Sequence, residues 1–579
     1  MAMACDKCGG THGDDAGACG NKPNDDPAAL MGFLSDFRSA NLAGNAPPTA
    51  APASTPTPAP TATPAPPAPP PAPPPAPPPP PGYGYTPPPG PSPPAAPWPG
   101  GWPPGPPAPT SKRRTRVVIA LAAAVALAGA GLAVALTRPG SGPHYPSAWD
   151  PRVAPIAAFV AQDRGLAWKH AVAVNFLPAA QFEATINRQN GPPPSAADQA
   201  DMLDALRAVG VVSGRPDLEQ ASQSFADSDV VGLYVDSVKT VYVKGSQLTP
   251  YVRVTLAHEL THALQDQYFN LNRMKSGHAD DDEAVTALIE GDAVRVQDDY
   301  ESQLPASDQT LYDQEQSSVS GSARNANTRS SIPPFLIDQS TFPYDFGPTF
   351  VAALVSEGGN RQVDDAFRNP PTLDGQILDP ASYVPGAPVP SVTVPTPPAG
   401  AKVINSGGFG EVPLFQMLAD EVGFAPAQAA TSGWTADASV VYRDRGTVCV
   451  DISVLADSPV DAATLGRAGA AWASRLPGAT TRVAGKSVYF HSCDPGPDWK
   501  PAPAAAEDPY QYLAAGSVVL YQLITAGHLS LPTASCATGA ISRAMGPKDL
   551  AAALQTNDPS SPLATELERQ VAVAVRACL

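Results

Sequence analysis

A proline-rich stretch sets the strongest limit on what the N-terminal part of this chain can fold into. Residues 47–109 contain 33 prolines in 63 positions and no Asp, Glu, Lys or Arg. Proline interrupts helices and removes a backbone donor, so this composition predicts an extended, disordered linker over 26–116 rather than a packed domain. Two roles stay open for it, a plain spacer or a ligand for a proline-binding partner, whose recognition points would be Tyr83, Tyr85, Trp98 and Trp102.

The rest of the 579-residue chain is long enough for two or three domains, and a hydrophobic content of 43% excludes a fully disordered protein. The formal net charge is −18. Because phosphate contacts draw on a surplus of Lys and Arg, this acidic balance argues against a nucleic-acid partner.

An apolar run follows the linker. Residues 117–136 read VVIALAAAVALAGAGLAVAL, without a single charge. As a helix this run would span about 30 Å, which is the thickness of the hydrocarbon core of a bilayer. It lies too far from the N-terminus for a cleaved signal peptide. The run therefore predicts one transmembrane helix over 117–137.

The charges on either side of this run predict its orientation. Only Arg138 follows it closely, whereas four basic residues precede it, namely Lys112, Arg113, Arg114 and Arg116. Positive charge is retained on the cytoplasmic side. We therefore expect a single-pass protein of the cell membrane, with its N-terminus in the cytoplasm and residues 139–579, which carry a net charge of −20, outside.

Four of the seven cysteines fall in the predicted outer part, where disulfides persist. Four cysteines allow three connectivities. The Pro- and Ala-rich residues 495–506 separate them into two pairs. We therefore expect the disulfides Cys449–Cys493 and Cys536–Cys578.

The other three cysteines lie within residues 1–25, where two interpretations stay open. One is a short zinc-ribbon-like site that holds a structural zinc ion through three thiolates and an imidazole. The other is a disordered tail with incidental thiols. The ligands of the first interpretation would be Cys5, Cys8, His12 and Cys19.

A helix with metal-binding spacing lies further along the chain. Thr249 and Pro250 predict its start, because proline suits a first helical turn, and it contains His258-Glu259-x-x-His262. Residues four apart share one helix face, so both imidazoles can bind one zinc ion. Glu259 stands beside the first histidine, where it suits a general base that takes a proton from water attacking a carbonyl.

A zinc site of this kind needs a third protein ligand. The metzincin pattern is excluded, because it would place glycine and histidine where Gln265 and Tyr268 stand. His278, Glu283 and Glu290 are the next candidates. We favour Glu290, since its neighbours are apolar and a buried carboxylate needs a partner such as a metal. We interpret Glu283 and His278 as solvated surface residues.

The stretch HELTHALQDQYF, followed about two dozen residues later by ALIEGDA, resembles the gluzincin, thermolysin-like type of zinc metallopeptidase. It is similar, more closely, to a bacterial family of exported or membrane-anchored HExxH proteins. The resemblance implies His258, His262 and Glu290 as zinc ligands and Glu259 as the catalytic base. It covers roughly residues 170–480, and its weaker blocks are 332–335, 342–350, 369–380, where Asp379 replaces an expected histidine, and 433–450.

Two further roles belong to this type of site. A Tyr or His usually stabilises the oxyanion, and Tyr344 is our candidate, in a loop predicted over 343–347. A structural aromatic residue is the alternative. An acidic residue four positions after the glutamate ligand usually orients a histidine. Val294 stands at that position, so we expect Asp292 or Asp266 to substitute.

The expected fold class is α+β. Its parts are a zincin-like domain at 143–384, a Pro-rich linker at 385–400, an α/β segment at 401–500 and a small disulfide-closed helical unit at 508–579. Periodicity predicts strands at 171–176 and within 230–243, where two strands join at 236–237, and a helix at 196–209. In the α/β segment it predicts helices at 412–422 and 462–474 and strands at 439–454 and 486–491.

Two functions from different classes follow. The first is a membrane-anchored zinc metallopeptidase that cleaves a peptide or protein substrate outside the cytoplasm, and the retention of Glu259 with both histidines favours it. The second is a catalytically silent zincin that serves as an envelope scaffold or binds a partner, and Val294 favours that alternative. No specificity pocket can be assigned from sequence, so the substrate is not predicted.

Overall fold

The computed structural model describes residues 3–4, 11–12, 145–189, 194–216, 230–274, 279–323, 332–500, 509–556, 558 and 560–579. They form a mixed α+β structure, which confirms the expected class. The predicted membrane span, the proline-rich linker and the three N-terminal cysteines lie outside the described residues. Within those ranges, no helix combines the length and apolar character that crossing a membrane requires.

The strands are β1 (Met3–Ala4), β2 (Thr11–His12), β3 (Ala173–Leu177), β4 (Gly232–Val235), β5 (Thr240–Lys244), β6 (Lys402–Gly407), β7 (Trp434–Asp444), β8 (Thr447–Ala456), β9 (Thr480–Ala484) and β10 (Ser487–Cys493). The helices are α1 (Ala154–Arg164), α2 (Ala179–Gln189), α3 (Ala196–Val209), α4 (Pro250–Phe269), α5 (Leu271–Met274), α6 (Ala279–Ser302), α7 (Ala306–Ala323), α8 (Pro334–Gly358), α9 (Asn360–Arg368), α10 (Asp374–Leu378), α11 (Glu411–Val422), α12 (Phe424–Thr431), α13 (Pro459–Ala473), α14 (Pro509–Thr525), α15 (Leu531–Met545), α16 (Pro547–Gln555) and α17 (Pro562–Cys578).

A three-stranded sheet precedes the metal-binding helix. β3 pairs parallel with β5, and β5 pairs antiparallel with β4, so β4 forms one edge. Valine and tyrosine, which favour pleated strands, dominate β4 and β5. The chain turns between these two strands at 236–239, where Lys239 has a φ of 53°. The strands predicted at 171–176 and within 230–243 are thus confirmed.

Helix α4 begins where its capping residues predict. Thr249 is the N-cap, and its hydroxyl accepts a hydrogen bond from the N–H of Val252, while Pro250 occupies the first turn. The apolar side of α4 packs against α1 and the three-stranded sheet. The buried residues of this core include Val160, Val241, Leu256, Leu260, Ala263 and Leu264.

Helices α6 and α8 pack closely on the other side of the site. Gly291 and Gly347 meet at the crossing, where a Cβ atom built on Gly291 would lie 2.3 Å from the backbone carbon and oxygen of Gly347. Helix α8 runs through Pro343 and Pro348, so the loop expected at 343–347 is wrong. Aromatic side chains on α8 are buried in one core, and this packing stabilises the helix despite its prolines; they are Phe342, Phe346 and Phe350.

A five-stranded antiparallel sheet, in the order β6-β7-β8-β10-β9, forms a second region together with α11, α12 and α13. The stretch predicted as strand at 439–454 belongs to two strands, because Arg445 and Gly446 take φ values of 50° and 95° and turn the chain. Helix α3 spans the predicted 196–209 and packs into this core through Met202 and Val209. The helices predicted at 412–422 and 462–474 are confirmed as α11 and α13.

Both predicted disulfides are confirmed. Cys449 and Cys493 lie directly opposite each other on β8 and β10. Cys536 on α15 joins Cys578 on α17 within the C-terminal helices. Helix α14 packs onto α8, and its apolar residues share a core with Ala352 and Ala353. The domain boundaries placed at 384, 400 and 500 stay predictions. Side chains from both sides of each boundary contribute to shared hydrophobic cores.

Candidate metal centre

Three side chains converge between α4 and α6. Nε2 of His258 lies 3.0 Å from Nε2 of His262 and 3.2 Å from Oε2 of Glu290, and the third distance, from His262 to Glu290, is 3.4 Å. Zinc bonds of about 2.0–2.2 Å at tetrahedral angles set donor atoms roughly 3.3–3.5 Å apart. The donor types and their spacing therefore fit a zinc ion. The predicted grouping is confirmed as one that could hold a metal ion.

Glu259 is held in place by a backbone group of a neighbouring strand. Its Oε2 accepts a hydrogen bond of 2.6 Å from the N–H of Tyr234 on the edge strand β4. The strand approaches α4 this closely because residue 232 is glycine: a Cβ there would lie 2.8 Å from Thr255 and 3.0 Å from Cγ of Glu259. One carboxylate oxygen is thus held by the strand.

Glu290 reaches the site because α6 lies against both α4 and α8. The side-chain amide of Gln265, on α4, donates to the backbone oxygen of Ile289 at 3.1 Å, which ties the two helices beside the ligand. The contact between Gly291 and Gly347 brings α8 up behind it. The glycine of the Glu-Gly-Asp-Ala motif therefore has a packing role.

The three converging side chains shift one another's pKa values. Burial alone would raise the pKa of Glu290, but the adjacent imidazoles of His262 and His258 hold it well below its usual range. Burial would lower the pKa of His262, but the Glu290 carboxylate raises it to about 9. The metal-free site thus holds a proton that a metal ion must displace.

The side chain that contacts Nδ1 of His262 is an amide and not the expected carboxylate. Nδ1 of His262 lies 3.1 Å from Oε1 of Gln265, whose Nε2 donates to Oδ2 of Asp292 at 2.9 Å. Asp292 thus acts through Gln265. Asp266 contacts neither histidine; it accepts from the hydroxyl of Tyr234 and pairs with Lys239. Nδ1 of His258 is buried and has no hydrogen-bond partner among the described residues.

Tyr344 faces the site from α8 rather than from a loop. Its hydroxyl lies near enough to Glu290 for the carboxylate to affect its pKa, while 42% of the residue is exposed to solvent. Desolvation of the hydroxyl raises the pKa of Tyr344 well above its usual value, and the charges of Glu290 and Glu259 add to the effect. The side chain is therefore a neutral hydrogen-bond donor at the mouth of the site.

Glu283 is not part of the centre. Glu283 is half-buried, and desolvation followed by the charge of Asp374 raises its pKa well above the usual value, so it is less solvated than the sequence predicts. Asp374 itself caps α11 by accepting from the N–H groups of Glu411 and Val412. His278 lies outside the described residues, and so do the side chains of the proposed N-terminal zinc site.

Comparisons with protein-family models, with curated proteins and with solved structures found no match to this chain. The resemblance to gluzincins therefore stays a prediction.

Sequence reasoning missed Gln265 and three glycines that shape the site. Gln265 could have been found, because a residue three positions after His262 shares its helix face. The roles of Gly232, Gly291 and Gly347 depend on which strand or helix crosses at each of them, and no local pattern shows this.

Proposed function

We propose that this chain is a zinc-dependent peptidase that hydrolyses peptide bonds. The observation that carries the proposal is the placement of Glu259, next to three convergent ligands and fixed through one oxygen by the Tyr234 N–H. A scaffold that only bound a metal would need the ligands but not an oriented carboxylate beside them. The neutral hydroxyl of Tyr344, close enough to Glu290 and Glu259 to feel their charges, adds to this argument.

Each side chain has one task in the proposed reaction. His258, His262 and Glu290 would hold the zinc ion. When bound, zinc supplies a Lewis acid that polarises a peptide carbonyl and makes water a better nucleophile at neutral pH. Glu259 accepts the proton of the attacking water and delivers it to the leaving amine. Tyr344 donates a hydrogen bond to the oxyanion that forms on the carbonyl oxygen.

The location of the reaction is also a proposal. A single membrane span over 117–137 would place residues 139–579 outside the cytoplasm, and the two disulfides in that part are consistent with an oxidising compartment. The substrate class would be an exported peptide or protein.

Glu259→Gln tests the proposal in the full-length protein. The amide cannot accept a proton, so hydrolysis of unfolded-protein and peptide libraries should fall by about 10²–10⁴-fold. The zinc content should not change, because Glu259 is not a ligand. Glu283→Gln is the matched control, since it makes the same change at a glutamate outside the group of converging side chains, and it should keep activity.

Equal cleavage by the wild type and Glu259→Gln would mean that the activity comes from elsewhere, and the proposal would fall. A zinc-loaded wild type that cleaves nothing would favour the alternative, a catalytically silent envelope scaffold.

A further inference from the structure

The amide group of Gln265 stands between a metal ligand and a buried charge. Its Oε1 lies 3.1 Å from Nδ1 of His262. Its Nε2 lies 3.1 Å from the backbone oxygen of Ile289 and 2.9 Å from Oδ2 of Asp292. Gln265 is 1% exposed. Since solvent hardly reaches the residue, these partners decide how the amide is oriented.

Only one orientation of the amide satisfies them. The Ile289 carbonyl and the Asp292 carboxylate are both acceptors, so the group that faces them must be the donating NH₂ of Gln265. The amide oxygen therefore faces His262. An oxygen only accepts, so Nδ1 of His262 must carry the hydrogen.

Buried charged side chains next to Asp292 hold the amide of Gln265 in this orientation. Asp292 is 0% exposed, and its Oδ2 lies 2.9 Å from Nε of Arg164, which is 1% exposed. Arg295 approaches Oδ1 of Asp292 at 3.5 Å. Guanidinium groups stay protonated in proteins, so they keep Asp292 an acceptor. Arg164 is fixed in turn by Asn360 and Asp364.

We propose that Gln265 is a positioning residue that holds His262 as the Nδ1–H tautomer, with the lone pair of Nε2 directed at the metal. The inference rests on the metal site of the proposed function and extends it. A histidine ligand is usually oriented by a direct carboxylate or carbonyl contact. Here the Arg164–Asp292 ion pair orients the amide of Gln265, and the amide in turn orients His262.

The test measures zinc affinity of the full-length protein against a competing chelator, together with the visible spectrum of the cobalt-substituted protein. Gln265→Met has a similar length but no acceptor for His262. It should weaken zinc binding by about 10–100-fold, the usual cost of losing such a partner, and should change the cobalt spectrum. A double variant, Gln265→Glu/Asp292→Asn, keeps an oxygen acceptor next to Nδ1 of His262 and moves the negative charge from residue 292 to residue 265. It should bind zinc more tightly than Gln265→Met.

The control is Asp364→Asn, which removes another partner of Arg164 but leaves the contact of Gln265 with Asp292 in place. Its zinc affinity should equal that of the wild type. Thermal unfolding of the metal-free proteins separates a general loss of stability from a loss of ligand orientation.

Unchanged zinc affinity and an unchanged cobalt spectrum in Gln265→Met would overturn the inference, even if its metal-free form melts earlier. Equal losses in Asp364→Asn and Gln265→Met would also overturn it, because the whole network rather than the amide would then be responsible. A wild type that binds zinc but cleaves no peptide would remove the proposed activity and leave this inference standing.

Discussion

The region around the metal centre and the region of the five-stranded sheet are stabilised in different ways. At the centre, charged and polar side chains are buried against one another, among them Arg164, Glu259, His262, Gln265, Glu290 and Asp292. The sheet region buries a broad apolar core, which includes Leu418, Ile452, Val454, Trp472 and Phe490. It is also closed by the Cys449–Cys493 disulfide.

This difference indicates which kind of substitution should most affect each region. Buried polar groups lower the free energy of the fold only while each has its partner, so the centre depends on a few contacts and on a metal. An apolar core spreads its stabilisation over many contacts. We therefore expect single polar changes to disable the centre, and the sheet to respond mainly to loss of volume or of its cross-link.

The largest effect expected is the loss of metal in Glu290→Ala. The variant removes one of three donors and leaves two imidazoles that cannot complete a tetrahedral site. Elemental analysis of the purified protein should show almost no zinc, while Glu283→Ala retains it. A filled site in Glu290→Ala together with an empty one in Glu283→Ala would show that the ligand assignment is wrong.

Loss of the sheet disulfide should come next in size. The double variant Cys449→Ala/Cys493→Ala opens a loop with a sequence separation of 44, which costs roughly 3–4 kcal/mol in the chain-entropy treatment. Urea unfolding would measure the loss, and zinc content should stay constant. A drop in zinc content would show that zinc binding at the centre depends on the disulfide of the sheet region.

A pair of glycine variants compares the two regions directly. In Gly291→Ala the new methyl group meets the backbone of Gly347 at 2.3 Å, which cannot move aside, and overpacking of this kind costs about 1–3 kcal/mol. In Gly466→Ala the contact is also 2.3 Å, but with the side chain of Val483, which is 43% exposed and can rotate away. Thermal unfolding should separate the two, and similar losses would contradict this account.

The last expected effect is a pH dependence of zinc binding. In the metal-free protein, the pKa of His262 is raised to about 9, above an unfolded value of about 6.5. The bound proton therefore stabilises the metal-free fold fully below about pH 6.5, and this contribution is lost as the pH rises through 9. Zinc must displace the proton, so zinc affinity should rise by about tenfold per pH unit towards pH 9 and then level off.

Chelator competition across this range measures the slope, and a flat profile would show that His262 is neutral before zinc binds. His491 in the sheet region provides the contrast. A hydrogen bond to Asp451 raises its pKa, and among the described residues His491 belongs to no group of side chains that could hold a metal ion. The only expected result there is a slight loss of stability as the pH rises through that pKa.

Features set by short-range patterns were predictable from the sequence. The start of α4 at Thr249, the helix over 196–209 and the HExxH face follow from spacing and capping, and the structure has all of them. Pro343 and Gly347 predict a loop around Tyr344, whereas these residues and Pro348 all lie within α8. Tertiary packing of the aromatic residues of α8 outweighs the cost of those prolines, and that packing has no local signal.

The contacts behind the ligands were harder to predict for a related reason. The sequence predicts Asp292 or Asp266 as the acidic partner, but it does not show that the amide of Gln265 lies between Asp292 and His262. Their arrangement depends on how α4 and α6 pack against each other, and the contact between Gly291 and Gly347 in turn fixes α6 against α8. Helix-to-helix geometry of this kind is a property of the assembled fold.

The position of Arg164 has a consequence for the order of events during synthesis. Its partners Asn360 and Asp364 lie 196 and 200 residues later in the chain. A ribosome therefore delivers both metal-binding histidines long before the last residues that fix Arg164. Until then Arg164 has its contact with Asp292 but lacks the two partners on α9. A nascent or truncated chain that ends before α9 would thus hold all three candidate metal ligands together with Gln265 and Asp292, while Arg164 would still lack its partners Asn360 and Asp364.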